Sequence, residues 1–177
     1  MPPLADLPVW ALVVVALAQG TAAAALLVAA WSDLKAFLIP NRVPAAVALA
    51  WLLAGLSVGL AGLVPVATLA LDLAVAMGVF AVLVGLYLTG ALGGGDVKLI
   101  PTVALWAGAD GVLVFLMLTA LAGGVLALAV LLARGAARLP GLGGWRVIRV
   151  TAGCQRLPYG VAIAVGGLWV LGRGAFG

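Results

Sequence analysis

The chain has no histidine and no glutamate, a single cysteine, Cys154, and only 14 charged side chains in 177 residues. Each shortage excludes a chemistry. One cysteine and no histidine leave no Cys/His zinc set, no Cys-His nucleophile pair, no Ser-His-Asp triad and no disulfide within the chain, so neither a metal nor another cofactor is expected. Any catalysis must use Asp, Lys, Arg, Tyr, Ser or Thr. Charged residues make up 8% of the chain, against about a quarter in a soluble domain, which leaves too little polar surface to face water on all sides. Carbon takes its place: 67% of the residues are hydrophobic. The sequence reads as an all-α integral membrane protein. Its net charge of +4 is spread over connections between apolar runs, a pattern that suits membrane orientation and offers no soluble basic domain to dock nucleic acid.

A membrane-crossing helix needs roughly 20 apolar residues at about 1.5 Å each. Residues 8–31, 43–63, 65–89 and 111–133 meet that length, and two shorter runs, 97–109 and 157–172, follow glycine- or proline-containing segments. The expectation is one domain over residues 1–177: a six-transmembrane-helix bundle with short fourth and sixth spans. The first run is kept as an uncleaved helix. Although Ala16-Leu17-Ala18 resembles a signal-peptidase site, the leading segment carries Asp6 and no Lys or Arg, and the run is too long for a signal h-region.

With the N-terminus outside, Lys35, Arg42, Lys98, Arg134, Arg138, Arg146, Arg149 and Arg156 all face the cytoplasm and only Arg173 faces out, a strong positive-inside bias. Trp10, Trp106 and Trp169 then mark the outer boundary and Trp31 the inner one, while Trp51 falls mid-span as a packing residue. The connection Arg134–Arg156 reads as an orientation signal with a segment anchored by Trp145 on anionic lipid, or else as a loop that docks substrate.

Five aspartates remain. Asp6 and Asp110 fall in outer loops, where turn chemistry and solvent account for them. Asp72 lies inside the third span with no basic partner in sequence, and a structural role outweighs a catalytic one. Asp33, at the end of the first span, and Asp96, after Gly93-Gly94-Gly95 at the start of the fourth, both fall at the cytoplasmic edge. Two carboxylates that share a site can split their titrations, so that one activates a water while the other polarises a carbonyl. The titrations belong to the pair, and acid and base are left unassigned. Three consecutive glycines are poor helix residues and point to positive φ or to the close approach of another backbone; a glycine turn with Asp96 as N-cap is the plainer alternative. A phosphate-binding loop fails on spacing, since Lys98 precedes Leu99 instead of Ser or Thr and follows an acid that repels phosphate.

At these residues the sequence resembles type IV prepilin peptidases, members of the GxGD class of membrane aspartic proteases. Gly93-Gly94-Gly95-Asp96-Val97-Lys98 matches a G-x-G-D-x-K motif; Asp33 followed by Ile39-Pro40-Asn41 resembles the first catalytic aspartate and its I-P-N segment; Leu157-Pro158-Tyr159-Gly160-Val161-Ala162-Ile163-Ala164 resembles a P-Y-G-x-A-I-A stretch. The resemblance implies Asp33 and Asp96 as catalytic dyad, with Gly93, Gly95, Lys98, Pro40, Asn41, Pro158, Tyr159 and Gly160 shaping the site or binding substrate. It implies cleavage of the basic leader of prepilins or pseudopilins at the cytoplasmic face of the bacterial inner membrane. Larger relatives carry an N-terminal segment with paired Cys-x-x-Cys zinc ligands associated with N-methylation. The expectation here is the short, peptidase-only form found in tight-adherence (Flp) pilus systems.

Local physics is compatible with these motifs. Pro40 disfavours helix at Ile39, Asn41 suits the cap of the helix that follows, and Pro158 suits a helix start with Tyr159 at headgroup level. The short run 97–109 gives a helix of roughly 20 Å against about 30 Å of hydrocarbon, which would recess Asp96 into the membrane. Two other readings stay open: a proton-coupled transporter using Asp33, Asp72 and Asp96 as a relay, and a noncatalytic scaffold of a pilus or secretion assembly.

Overall fold

The computed structural model describes residues 8–90, 92–136 and 158–173, and among them every regular element is a helix. The helices are α1 (Val9–Ala36), α2 (Arg42–Leu60), α3 (Val66–Leu88), α4 (Gly94–Ala136) and α5 (Tyr159–Gly172). α1, α2, α3 and the Gly94–Arg134 stretch of α4 are long and apolar enough to cross a membrane. Asp6, Arg138, Trp145, Arg146, Arg149, Cys154, Arg156 and Leu157 lie outside the described residues.

The helix ends follow from a few residues. α1 runs five residues past the expected end of its apolar stretch, so Asp33 and Lys35 sit within its last turns. It stops at Phe37, whose left-handed backbone (φ 51°, ψ 38°) lets its N–H bond the Asp33 carbonyl. Glycine or asparagine usually fills such a cap. The Ser32 hydroxyl reaches the Leu38 carbonyl at 2.8 Å and folds the chain back beneath the helix. Pro40 then keeps Ile39 out of helix before α2 begins.

Six separate spans are not what the described residues show. Residues 97–109 and 111–133 belong to one helical element, α4, interrupted at Gly108 (φ 64°, ψ 179°). A single glycine in a conformation that L residues avoid breaks the helix without any intervening loop. Asp110, expected in a loop, is therefore helical. Contacts show what the break does. Tyr87 near the end of α3 lies against Gly94, and Asp72 near its start lies against Gly108, so α3 runs antiparallel to the first arm of α4. In the second arm Phe115 and Thr119 meet Gly166, and Gly123 meets Tyr159 and Ala162. The second arm thus runs back towards the end of the bundle from which the first arm came.

α4 packs on α2, α3 and α5, and α5 in turn packs on both α4 and α1. Association in lipid depends on close packing and small residues rather than on hydrophobic transfer. α5 meets that requirement with buried Gly160, Ala162, Ala164, Gly166 and Gly167. A Cβ at Gly166 would collide with Thr119 Oγ1, and one at Gly167 would come within 2.7 Å of Leu26. Trp106, two residues before the Gly108 break and beside Trp169 and Arg173 at the same cleft, is a buried core residue whose indole N–H donates to the Val47 carbonyl at 3.0 Å, tying α4 to α2. Trp51 is buried as expected of a packing residue, whereas Trp10, Trp31 and Trp169 are exposed. Lys35 lies over the Trp31 ring and Arg173 over Trp169, 4.3 and 4.8 Å from the ring centres.

Candidate active site

The three sequence motifs converge at one end of the bundle, where the Asp33–Asn41 segment touches each of the other two. Asp33 is buried, at 6% exposure, and its Oδ2 accepts the backbone N–H of Gly160 at 2.6 Å. A Cβ at Gly160 would stand 2.9 Å from the Asp33 Cβ and 3.0 Å from Oδ2. The first turn of α5 therefore holds the aspartate through the absence of a side chain. Pro158 is buried as the residue preceding α5, and occupies the N-cap rather than the first helical position.

Asp96 is the third residue of α4, after Gly94 and Gly95. Its carboxylate accepts a hydrogen bond from the N–H of Gly93 and feels the charge of Asp33. That is the back-bonding half of a capping box, with the acid at N3 bonding the N-cap amide, so the expectation of Asp96 as N-cap shifts by three positions. None of Gly93, Gly94 and Gly95 has positive φ. Side chains, and not the other backbone expected for the glycine run, fill the space: a Cβ at Gly93 would meet Asp96 Oδ2 at 2.9 Å, and one at Gly95 would meet the Ile39 Cβ at 3.0 Å. The glycine motif makes room for its own aspartate and for the isoleucine of Ile39-Pro40-Asn41.

Asn41 does not cap α2; it makes no side-chain cap bond. Its Oδ1 accepts from Lys98 Nζ at 3.0 Å, a link across 57 residues that ties the α1–α2 turn to α4. The Tyr159 ring packs on Gly123 of the second arm of α4, where a Cβ would come within 3.0 Å. Sequence reasoning overlooked Gly123 as this cradle, Ser32 as the tie to the turn, and the Phe37 cap. Only Ser32, beside Asp33, carried a local signal.

Asp72 is elsewhere. It is buried at the opposite end of the first arm of α4, where its Oδ1 accepts the Ala109 N–H at 3.0 Å. It thereby caps the second arm from a neighbouring helix, a structural task of the kind expected for it. Around it lies a cleft of about 200 Å³, lined among others by Asp110, Trp169 and Arg173. Arg173 thus sits at this end, whereas Lys35, Arg42 and Lys98 sit at the end that holds Asp33 and Asp96. No group of His, Cys, Asp or Glu among the described residues is arranged to hold a metal ion.

The class defined by this geometry is a helical membrane protein that brings two aspartates, from the end of one helix and the start of another, to the same end of the bundle. A model of the type IV leader peptidase family matches residues 21–128, more than half of the 177, and the chain belongs to that family. The matched region contains Asp33, Ile39-Pro40-Asn41 and Gly93-Gly94-Gly95-Asp96; the Pro158-Tyr159-Gly160 segment lies beyond it. Comparison with curated proteins and with solved structures finds no match. Family membership carries a leader-peptidase type of function, and with the long apolar helices it places the protein in a membrane.

Proposed function

We propose that the protein is an aspartic-type endopeptidase that removes the leader of type IV prepilins or pseudopilins, with Asp33 and Asp96 as its catalytic pair. The observation that carries this reading is the interlocking of three motifs around the two carboxylates: Gly160 on Asp33, Gly95 on Ile39 and Lys98 on Asn41. Asp72 is held in a similar way, by the Ala109 N–H and beside Gly108, but at the opposite end of the arm and away from the three motifs.

In the proposed reaction the pair shares one proton. The ionised aspartate takes a proton from a water held between the two while the protonated one donates to the carbonyl oxygen of the scissile bond. Oxygen of the water bonds to the carbonyl carbon. The C–N bond then breaks as the leaving amine takes the proton that the first aspartate gained from water, while the second recovers its proton from the hydroxyl formed on the carbonyl oxygen, which restores the pair. The N–H of Gly160 fixes Asp33 through Oδ2 and leaves Oδ1 to the water or the substrate. Bonds to Gly93 and Gly160 hold the two carboxylates before substrate arrives, and such preorganisation is worth more than added binding.

The finer topology belongs to the same proposal. The break at Gly108 serves as an outer turn, giving six crossings with the N-terminus outside. Lys35, Arg42 and Lys98 then lie with the dyad at the cytoplasmic face of the bacterial inner membrane, in contact with anionic lipid. Co-expression with a candidate prepilin, read by the gel shift of leader removal, tests the assignment. Asp33→Asn and Asp96→Asn are expected to abolish processing at normal membrane levels, and Asp72→Asn, which keeps an acceptor for the Ala109 N–H, to process normally. Processing that persists in either dyad variant removes that aspartate from the mechanism.

A further inference from the structure

α2 and α3 are joined by only the five residues between Leu60 and Val66. Helices so connected ordinarily pack as antiparallel neighbours. Among the described residues these two meet little, Leu69 of α3 lying on Gly55 and Gly59 of α2; each lies on α4, which is there the only substantial partner of α3. The gap between them is a groove of about 330 Å³ floored by the first arm of α4 through Lys98, Pro101, Thr102 and Leu105. Pro44, Ala45 and Ala48 of α2 form one wall, and Leu73, Ala76, Met77 and Phe80 of α3 the other.

We propose that this groove is the docking site for the apolar membrane helix of the protein substrate. The inference rests on the peptidase reading above and extends it from the cleaved bond to the part of the substrate that stays in the membrane. The groove is continuous with the candidate site: its end residue Lys98 is bonded to Asn41 and stands two positions from Asp96, and Pro44 is three positions from Asn41. Apart from Lys98 and the Thr102 hydroxyl, which is bonded to the Leu99 carbonyl, its lining side chains are hydrocarbon or thioether, so an occupant must be apolar along its length. Each of its three sides carries alanine or threonine (Ala45 and Ala48, Ala76, Thr102), small residues that let the backbone of a second helix approach closely. A lipid tail finds the same carbon surface but gains nothing from backbone access. The slot is too small for a whole helix and is matched to the ridge of side chains along one helix face.

The test compares two substrates of the intact protein in lipid nanodiscs: a prepilin carrying its apolar helix, and a soluble peptide spanning only the leader junction. Wild type is expected to show a lower KM for the helix-bearing substrate. Ala48→Trp fills the groove and is expected to raise that KM about tenfold, shrinking the advantage over the peptide. Met77→Trp, on the half-exposed wall from α3, is expected to do the same and guards against misfolding of the first variant. Leu53→Trp, on α2 outside the groove, is expected to preserve the wild-type advantage. The inference is overturned if both groove variants keep the wild-type KM, the result of a groove that holds only lipid, or if wild type has no preference for the helix-bearing substrate. If wild type cleaves neither substrate, the peptidase reading itself falls, so the two failures are distinguishable.

Discussion

Gly160 lacks a side chain where Asp33 needs the space, and the neighbouring atom that a Cβ would meet is the Asp33 Cβ, close to the backbone and unable to swing aside. Helix propensity alone would make Gly160→Ala stabilising by about 1 kcal/mol. We therefore expect a loss of leader cleavage of about a hundredfold from displacement of the carboxylate, with no fall in helix content by circular dichroism; cleavage at the wild-type rate would detach Gly160 from the site. Gly95→Ala, against the Ile39 Cβ, is expected to be as damaging. Gly93→Ala meets the Asp96 carboxylate itself, which can swing aside only by leaving its place, so it is expected to lower cleavage with little effect on stability. The Asn41–Lys98 link is exposed, so a double-mutant cycle of Asn41→Ala and Lys98→Met in thermal unfolding should return a coupling of about 0.5–1 kcal/mol. At this scale the motifs were legible one by one, because glycine runs and X-Pro pairs have local meaning. Their cross-contacts were not, since Asp33 and Gly160 are 127 positions apart and no periodicity reports such a distance. Asn41 misled for the same reason: its residue type suits a cap, and a lysine from another helix claimed its oxygen.

The element that most needs explanation is α4, whose reversal depends on Gly108 and Asp72 together. Gly108→Ala places a Cβ 3.1 Å from Asp72 Oδ1 on a backbone with φ 64°. The expected destabilisation is about 1–3 kcal/mol from the left-handed conformation and the contact combined. Asp72→Leu removes the acceptor of the Ala109 N–H and is expected to cost about 1–3 kcal/mol, whereas Asp72→Asn keeps it and should unfold close to wild type. Thermal unfolding in detergent reads all three, and equal stability of the Leu and Asn variants would show that the cap contributes nothing. Long apolar runs made the helices legible, and α2 and α3 were found within three residues of their ends. The break was misread as a loop because Gly108, Asp110 and Gly111 carry turn composition, while the structure uses one glycine and keeps its neighbours helical. The partner of Trp106 was not legible, because the carbonyl that takes its N–H belongs to another helix.

For the molecule as a whole, thickness and charge make one account. The first arm of α4 and α5 each have 14 residues, from Gly94 to Ala107 and from Tyr159 to Gly172, about 21 Å of helix against about 30 Å of hydrocarbon. In the proposed topology, with Gly108 at the outer boundary, the stretch from Asp96 to Ala107 covers only about 18 Å, which recesses Asp96 by roughly 12 Å from the cytoplasmic boundary, and water must reach it through a cleft. Single cysteines in a Cys154→Ser background test the orientation: Asp110→Cys should react with a membrane-impermeant maleimide added outside intact cells, and Arg42→Cys only after permeabilisation. The reverse pattern would invert the topology. Long apolar helices were legible from sequence because length and apolarity suffice for that, whereas the packing of α5 on both α1 and α4 was not, since its small residues acquire meaning only against the helices they admit. The most direct measurement for the central claim is leader cleavage by purified Asp33→Asn and Asp96→Asn proteins beside wild type. The account predicts complete loss of cleavage in both with thermal stability retained; measurable processing by either would contradict it.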